Sequence, residues 1–207
     1  MSNGYLVFIP DVVFRKGEPG VSSYDAVVSG VKSLIDRYDF IDKDRIALNG
    51  HSWGGYQIAF LVTRTNMFKA AVSGAPVVNM TSAYGGIRWE SGKSRMFQYE
   101  QTQSRIGGTL WDKPAEFIRN SPLFFLPQVQ TPVLIMHNDK DGSVMWEQGI
   151  EFFMALRRLD KPVWLFNYKG EGHHLKKWEN RLDYSRRVME FYDYYLKDGK
   201  KPEWMKS

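Results

Sequence analysis

The sequence contains no cysteine, so it can form neither disulfide bonds nor thiolate metal sites, and it offers no thiol nucleophile. It also lacks any run of about 18 consecutive apolar residues, the length that a membrane span requires. The amino-terminal residues do not follow the basic, apolar and small-residue layout of a signal peptide. These absences predict a chain that folds in water around one core, although they leave its cellular compartment open.

The sequence also lacks a large excess of charge of one sign. It contains 28 Lys and Arg residues and 23 Asp and Glu residues, which gives a formal net charge of +5. The basic residues are scattered along the chain. The aromatic residues occur at helix or strand spacings among aliphatic ones, unlike the aromatics interleaved with Arg and Lys in single-strand binders. The pattern predicts a solvated basic surface, with neither nucleic acid nor a membrane as a partner.

Short apolar runs alternate with segments of helical periodicity. The runs cover residues 5–9, 45–48, 68–72, 132–136 and 163–166. Such runs are typical of strands buried on both faces of a parallel sheet. The helical segments cover residues 24–38, 53–64, 146–159 and 180–196. This alternation predicts a layered α/β fold. We expect one domain over residues 1–207, with an irregular insertion at about 77–125 that is placed where insertions commonly shape a binding site.

Residues 50–54 read Gly-His-Ser-Trp-Gly, which has the form G-x-S-x-G. Small residues two positions either side of the serine permit a cramped strand-to-helix turn that pushes the serine Oγ out of the sheet. The pattern is weak alone, but here a predicted strand leads in and a predicted helix leads out. A further glycine, Gly55, would ease close packing of that helix on the sheet. Ser52 is therefore the candidate nucleophile.

A serine hydroxyl needs a base, and the base needs an acid that fixes its tautomer. Of the four histidines, His51 adjoins the nucleophile and His137 ends a buried strand, where a core histidine is the usual interpretation. His173 and His174 remain, in a loop at the carboxyl end of a predicted strand, where the sites of open α/β sheets collect.

The acid should follow the preceding strand, where Asp139 and Asp141 are both candidates, although Asp141 before Gly142 could also form a simple turn. The chain order Ser, Asp, His is the order of the α/β-hydrolase triad. The residues alone therefore predict a Ser-Asp-His hydrolase in which the acid and the base each have two candidate positions.

Three segments closely resemble the catalytic domain of the prolyl oligopeptidase family of serine peptidases, which includes dipeptidyl peptidases and acylaminoacyl peptidases. They are residues 50–56 (GHSWGGY), 135–144 (IMHNDKDGSV) and 168–175 (YKGEGHHL). The resemblance spans nearly the whole chain and implies an α/β-hydrolase fold, with a mostly parallel sheet flanked by helices. It places the catalytic acid on Asp141 and the base on His173. It calls for no cofactor and no metal.

The resemblance also implies roles for residues around the triad. The backbone N–H of Trp53 would be one donor of the oxyanion hole. The pocket for the residue before the cleaved bond would include Val77, Met80, Tyr84 and Val144. The positions of Met80 and Tyr84 depend on the insertion, whose length varies in the family. As an alternative, these side chains could simply belong to the core.

The chain departs from the family at its start, because members carry the first three strands of the sheet upstream of residues 5–9, usually after a β-propeller. One oxyanion donor comes from that region, and losing one donor typically lowers kcat by about 100- to 1000-fold. The strand at residues 5–9 would also lack a neighbour, and unpaired edges invite pairing with another chain. We therefore expect a partial domain, lacking the first strands, that can form a homo-oligomer through this edge strand.

The leading functional hypothesis is a serine peptidase domain that hydrolyses short peptides through an acyl-enzyme. One alternative keeps the triad but acts on esters, whose better leaving groups tolerate an incomplete oxyanion hole. The other is a catalytically silent fragment that self-associates through the exposed sheet edge. The sequence leaves prolyl, acyl-amino-acid and dipeptidyl specificity open.

Overall fold

In a computed structural model, which describes residues 3–206, helices and strands alternate along the chain. The first half contains α1 (Pro19–Arg37), β1 (Ala47–His51), α2 (Trp53–Val62) and β2 (Ala70–Gly74). The insertion follows, with α3 (Met80–Tyr84), β3 (Ile87–Arg88), β4 (Lys93–Ser94), α4 (Met96–Glu100), α5 (Pro114–Arg119) and a 3-10 helix (Pro122–Gln128). The last part contains β5 (Val133–Met136), α6 (Trp146–Arg158), β6 (Val163–Phe166), α7 (Trp178–Leu196) and a short 3-10 turn (Glu203–Met205). Over the described residues, no helix is both long and apolar enough to cross a bilayer.

Strands β1, β2, β5 and β6 form one parallel sheet in the order β1-β2-β5-β6. Every residue of the two central strands, β2 and β5, is buried. This explains why their sequences are nearly continuous apolar runs instead of alternating ones. Because all four strands run in one direction, their carboxyl ends lie along one edge of the sheet. The predicted parallel sheet with flanking helices is confirmed.

Helices cover both faces of this sheet, and successive residues of β5 contact opposite layers. Ile135 belongs to the core that also contains side chains of α1, α2 and α6. Leu134 packs instead with Phe191 and Leu196 of α7. In a third cluster, apolar side chains of the insertion pack against Tyr56 and Phe60 of α2. The insertion therefore shares an apolar cluster with the main fold.

The prediction of a strand at residues 5–9 is wrong. The segment pairs with no other strand, because a strand is held by its hydrogen-bond ladder and none of the described elements lies in register beside it. It is anchored by side chains instead. The Tyr5 hydroxyl donates to Asp193 at 2.7 Å, and the ring of Phe8 lies so close to Gly30 that a Cβ there would come within 2.8 Å of it. The outward-facing apolar residues are Leu6, Val7 and Ile9, which are 64%, 71% and 86% exposed.

The sheet of the described residues has two edge strands, β1, which pairs only with β2, and β6, which pairs only with β5. The exposed apolar segment at residues 6–9 adds surface that water solvates poorly. The expectation of self-association therefore applies to the edge strand β1, the strand that precedes Ser52, and to this segment, and no longer to a strand at residues 5–9.

We expect the chain to form dimers or larger species at tens of micromolar, because an open strand and an exposed apolar segment both favour pairing with a second copy. A double variant, Val7→Lys with Ile9→Lys, should shift the distribution towards monomer. Size-exclusion chromatography with light scattering measures both. A monomeric unmodified chain at this concentration would contradict the expectation.

Candidate active site

Ser52 occupies the turn between β1 and α2. Its backbone lies at φ 59° and ψ −117°, a region that non-glycine residues rarely adopt and that costs about 1–3 kcal/mol. Two hydrogen bonds hold this conformation: Ser52 N–H donates to the carbonyl of Gly74 at 2.8 Å, and Tyr56 N–H donates to the carbonyl of Ser52 at 3.0 Å. The serine side chain therefore stands at the carboxyl end of β1, as the G-x-S-x-G pattern predicts.

The glycines around Ser52 do not contribute equally to this turn. A Cβ on Gly50 would lie 2.4 Å from the carbonyl oxygen of Gly54, and a Cβ on Gly55 would lie 2.3 Å from that of Gly74. Both distances are too short for carbon against backbone oxygen. A Cβ on Gly54 would meet no atom within 4 Å. The steric requirement is therefore confirmed at Gly50 and Gly55 but is wrong at Gly54.

Gly50→Ala should disrupt the turn, because the new methyl group collides with backbone that cannot move without unwinding the start of α2. We expect a loss of unfolding free energy of about 3 kcal/mol or more, within the range of severe overpacking. Gly54→Ala is the matched control and should change stability by less than about 1 kcal/mol. Urea unfolding followed by circular dichroism compares the two. Equal stability of both variants would show that the turn is not sterically constrained.

A line of hydrogen bonds leads from Ser52 into the protein. His173 Nε2 lies 2.8 Å from Ser52 Oγ, and His173 Nδ1 lies 2.8 Å from Asp141 Oδ2. His173 and Asp141 are both buried. Because an ionised carboxylate can only accept, the proton of a neutral His173 sits on Nδ1. The Nε2 lone pair is then directed at the serine hydroxyl.

The carboxylate of Asp141 is held by several donors. Its Oδ1 accepts the backbone N–H groups of Ser143 and Val144, each at 2.8 Å. Its Oδ2 lies 3.3 Å from His137 Nε2, as well as next to His173. Burial alone would raise the pKa of Asp141, but the hydrogen bonds from His137, His173 and Val144 outweigh burial and hold that pKa well below its usual value. Asp141 is therefore ionised at neutral pH.

His137 was interpreted from the sequence only as a core histidine. It is fully buried, but its Nε2 also lies 3.3 Å from Asp141 Oδ2 and 3.1 Å from the carbonyl oxygen of Val144. Gly149 of α6 allows this approach, since a Cβ there would lie 2.6 Å from His137 Nδ1. The role was invisible in the sequence because it depends on a tertiary contact, although the i, i+4 spacing of His137 and Asp141 in one loop was a signal.

The loop that presents His173 is fixed by two buried polar side chains, Glu171 and Asn138, whose role was not predicted from the sequence. Glu171 accepts the backbone N–H groups of Lys176 at 2.9 Å and Lys177 at 3.0 Å, and the side-chain amide of Asn180 at 2.7 Å. These donors, first among them the Lys176 N–H, lower the pKa of Glu171. On the other side of the loop, Asn138 donates to the carbonyl of Gly172 at 2.8 Å and accepts the N–H of Tyr168 at 3.0 Å.

Glu171→Gln should loosen this loop, because an amide offers one acceptor oxygen where the carboxylate offers two. We expect a loss of about 1–3 kcal/mol of unfolding free energy, the usual range for a hydrogen-bonded charge. The folded-state pKa of Glu171 is lowered, so its stabilising effect is present above the unfolded pKa, about 4.3, and disappears as the pH falls through the folded value. Unfolding measured from pH 7 to pH 3 should therefore depend less on pH in the variant. Glu179→Gln, at an exposed site in the first turn of α7, is the control, and an equal effect there would refute the assignment.

Asp139 and His174, the alternative candidates for the acid and the base, are not part of the hydrogen bonds that connect Ser52 to Asp141. Asp139 Oδ1 accepts the N–H of Gly170 at 2.7 Å. His174 is exposed, and its ring centroid lies 4.8 Å from that of His173. The structure therefore brings together Ser52, His173 and Asp141, the set that the family resemblance implied.

A hairpin of the insertion covers the loop that carries Asp141. The Arg88 guanidinium of β3 donates to Ser143 Oγ at 3.1 Å, and that hydroxyl donates to Glu90 at 3.0 Å. Glu90 also packs on Gly142, where a Cβ would lie 2.5 Å from Glu90 Cγ. The insertion thus contacts the loop that carries Asp141.

The residues predicted to bind substrate gather in one apolar cluster that includes side chains of α2, the helix that follows Ser52. Its members include Val77, Met80, Tyr84 and Val144, and Trp53 packs against it. Each of these four is at most 4% exposed, so the alternative that they belong to the core stays open. Trp53 is the first residue of α2, and the N–H of that position has no partner within a helix.

His51 precedes Ser52 in the chain, and its ring lies close to two further imidazoles. Its ring centroid is 4.8 Å from that of His173 and 4.7 Å from that of His174. Burial, together with the neighbouring positive charge that His173 or His174 would carry when protonated, lowers the pKa of His51 to about 4. His51 is therefore neutral at physiological pH.

Comparison with known proteins agrees with this geometry. The model of the prolyl oligopeptidase family matches residues 14–199. The chain is 31% identical over 166 residues to the uncharacterized peptidase YuxL of Bacillus subtilis, a match that covers 78% of this chain and 23% of that protein. It is 29% identical over 174 residues to the acylamino-acid-releasing enzyme of Homo sapiens, covering 81% of this chain and 22% of the enzyme. The chain thus spans less than a quarter of the length of these curated relatives.

Solved structures show the same fold. An acylaminoacyl peptidase of Pyrococcus horikoshii superposes with a TM-score of 0.79 at 20% identity, covering 93% of this chain and 30% of that one. A puromycin-hydrolyzing peptidase of Mycobacterium tuberculosis gives a TM-score of 0.74 at 25% identity, covering 87% of this chain and 26% of that one. The expected α/β-hydrolase fold is confirmed.

Proposed function

The chain belongs to the prolyl oligopeptidase family of serine peptidases, and on that premise we propose that Ser52, His173 and Asp141 are the catalytic triad with which it hydrolyses short peptides. The observation that carries the proposal is the pair of 2.8 Å contacts from Ser52 Oγ through His173 to Asp141. These distances are within the reach that a nucleophile and its base require. The positive φ of Ser52 supports the same assignment, because backbone strain of this kind is concentrated at active sites.

The proposed reaction proceeds through an acyl-enzyme. Ser52 Oγ attacks the substrate carbonyl while its proton passes to His173 Nε2, and the resulting imidazolium gives that proton to the leaving amine as the C–N bond breaks. A water molecule then attacks the ester, its proton passes to His173, and the acid product leaves as Ser52 recovers its proton. Asp141 stays ionised throughout and stabilises the imidazolium.

The negative charge that develops on the carbonyl oxygen needs a donor, and we assign the backbone N–H of Trp53 to this role. It is adjacent to Ser52 and lies at the amino-terminal end of α2, where the helix dipole favours negative charge. The indole of Trp53 stacks on Tyr56 with centroids 4.4 Å apart. This packing fixes the backbone of the first helical turn.

The apolar cluster beside Ser52 supports a preference for an apolar residue before the cleaved bond. Val77, Met80, Tyr84 and Val144 would form its walls. The names of the relatives, acylamino-acid-releasing enzymes and dipeptidyl-peptidases, support short peptides as the substrate class. A peptide is accordingly the proposed partner, and the chemistry of the triad needs no cofactor.

Matched substrates separate this proposal from the two alternatives. Two series of substrates share the same acyl groups, an N-acetylated dipeptide and a free dipeptide. In one series the dipeptide is joined to an anilide, and in the other to an alkyl ester. The value of kcat/KM is measured for each substrate. Measurable cleavage of the anilides supports the peptidase. Cleavage of esters alone would assign the chain as an esterase, and cleavage of neither would assign it as a catalytically silent module.

A further inference from the structure

We propose that His51, His173 and His174 form a binding site for a borderline transition-metal ion, Zn²⁺ in the first instance, and that metal bound there shuts the hydrolase off. The ligand nitrogens of the three imidazoles all lie within 4.8 Å of one another. Ser52 adjoins His51 in sequence and contacts His173 in space. The site thus shares one residue with the proposed triad and adds two that the triad does not use.

The spacing is close to what zinc requires. Zn–N bonds of about 2.0–2.1 Å in a tetrahedron place nitrogen ligands roughly 3.3 Å apart. The three nitrogens would each have to move on the order of 1 Å, which a rotation of the imidazole about its side-chain bonds provides. His174 is exposed and free to make this movement, and His51 is partly exposed.

The surroundings indicate which nitrogens would bind. His51 Nε2 is buried and has no hydrogen-bond partner among the described residues, and such an unpaired buried group costs free energy that a metal bond would recover. His173 Nδ1 is already bonded to Asp141, so only its Nε2 can coordinate. A carboxylate behind a metal-binding imidazole is a common arrangement that fixes the ring and raises its basicity.

The ligand set also indicates the class of metal. Three imidazoles suit zinc, copper and nickel, whereas magnesium and calcium prefer oxygen ligands. The nearby carboxylate of Asp141 is committed to His173 and to backbone N–H groups. We therefore expect no comparable binding of Mg²⁺ or Ca²⁺.

The regulatory consequence rests on the proposed function. His173 Nε2 has one lone pair, so it cannot hold a metal ion and accept the proton of Ser52 at the same time. A bound ion would thus remove the base while leaving the fold unchanged. Removal of the ion with a chelator would return the nitrogen to Ser52.

Metal binding is measured first, because it does not depend on activity. Isothermal titration of the tag-free chain with Zn²⁺, and visible absorption of Co²⁺ as a spectroscopic substitute, should give one ion per chain. Ser52→Ala should bind similarly, since it keeps the three imidazoles. His51→Gln and His174→Gln should each weaken binding at least tenfold, with unfolding midpoints confirming that they fold. No binding, or unchanged affinity in both histidine variants, would overturn the site.

Inhibition is measured second, by the rate at which a fluorophosphonate probe labels Ser52 with and without Zn²⁺. Zinc should slow labelling at least tenfold, a chelator should restore it, and His174→Gln should shift the inhibitory concentration upwards by the factor found in the titration. Zinc that binds without slowing the reaction would overturn the switch. Absence of labelling in metal-free protein would instead count against the proposed triad, and the binding measurement would still decide the metal site.

Discussion

Ser52→Ala should abolish hydrolysis, with kcat falling by about 10⁶-fold, the size of loss found when a triad serine is removed. The alanine has no oxygen with which to form the acyl-enzyme, and no other hydroxyl contacts His173 Nε2 among the hydrogen bonds of the described residues. The turn itself should persist, because the two backbone hydrogen bonds of residue 52 do not involve its side chain.

The comparison is made on the best substrate of the unmodified chain, with both proteins purified free of host peptidases. Circular dichroism and the unfolding midpoint establish that the variant is folded. Activity within tenfold of the unmodified chain would mean that another residue is the nucleophile.

Asp141→Asn should lower kcat by about 10⁴-fold through the tautomer of His173. In the native site Asp141 Oδ1 accepts two backbone N–H groups, and Oδ2 faces His173 Nδ1. An asparagine that keeps its oxygen on the backbone N–H groups turns its own NH₂ towards His173. Nδ1 must then accept, so the ring proton moves to Nε2, and the lone pair needed by Ser52 is lost.

The matched control is Asp139→Asn, in the same loop, whose carboxylate bonds to the N–H of Gly170 and not to an imidazole. It should retain activity within about tenfold of the unmodified chain. Steady-state kinetics should show the loss at Asp141 mainly in kcat, with KM little changed, because the substituted group does not contact substrate. Equal losses in the two variants would contradict the assignment of the acid.

The fold was largely predictable because its strands are short apolar runs that alternate with segments of helical periodicity. The runs at residues 132–136 and 163–166 predicted β5 and β6 to within one residue. The beginning of α1 was missed, since periodicity started at Tyr24 whereas the helix begins at Pro19, a residue suited to the first helical position. The segment at residues 5–9 has the composition of a strand, but composition does not say whether a neighbouring strand is present to pair with it.

The candidate site was predictable to the level of residue types and chain order. The motif located Ser52, whereas the residues alone left two candidates for the acid and two for the base. Geometry separates them, since only Asp141 and His173 share hydrogen bonds that lead to Ser52. Glu171 and His137 were missed because their functions depend on contacts made across the folded loop. The hairpin of the insertion was also missed. Its strands, β3 and β4, have two residues each, which is too short to show the alternation of apolar and polar residues that predicts a strand.

Active-site labelling tests the central claim most directly. The unmodified chain is incubated with a fluorophosphonate, digested and mapped by mass spectrometry. We expect one adduct, on Ser52, and we expect labelling to be lost in Ser52→Ala and strongly slowed in Asp141→Asn but not in Asp139→Asn. An unlabelled Ser52 in folded, metal-free protein, or an adduct confined to a different serine, would contradict the assignment of this triad.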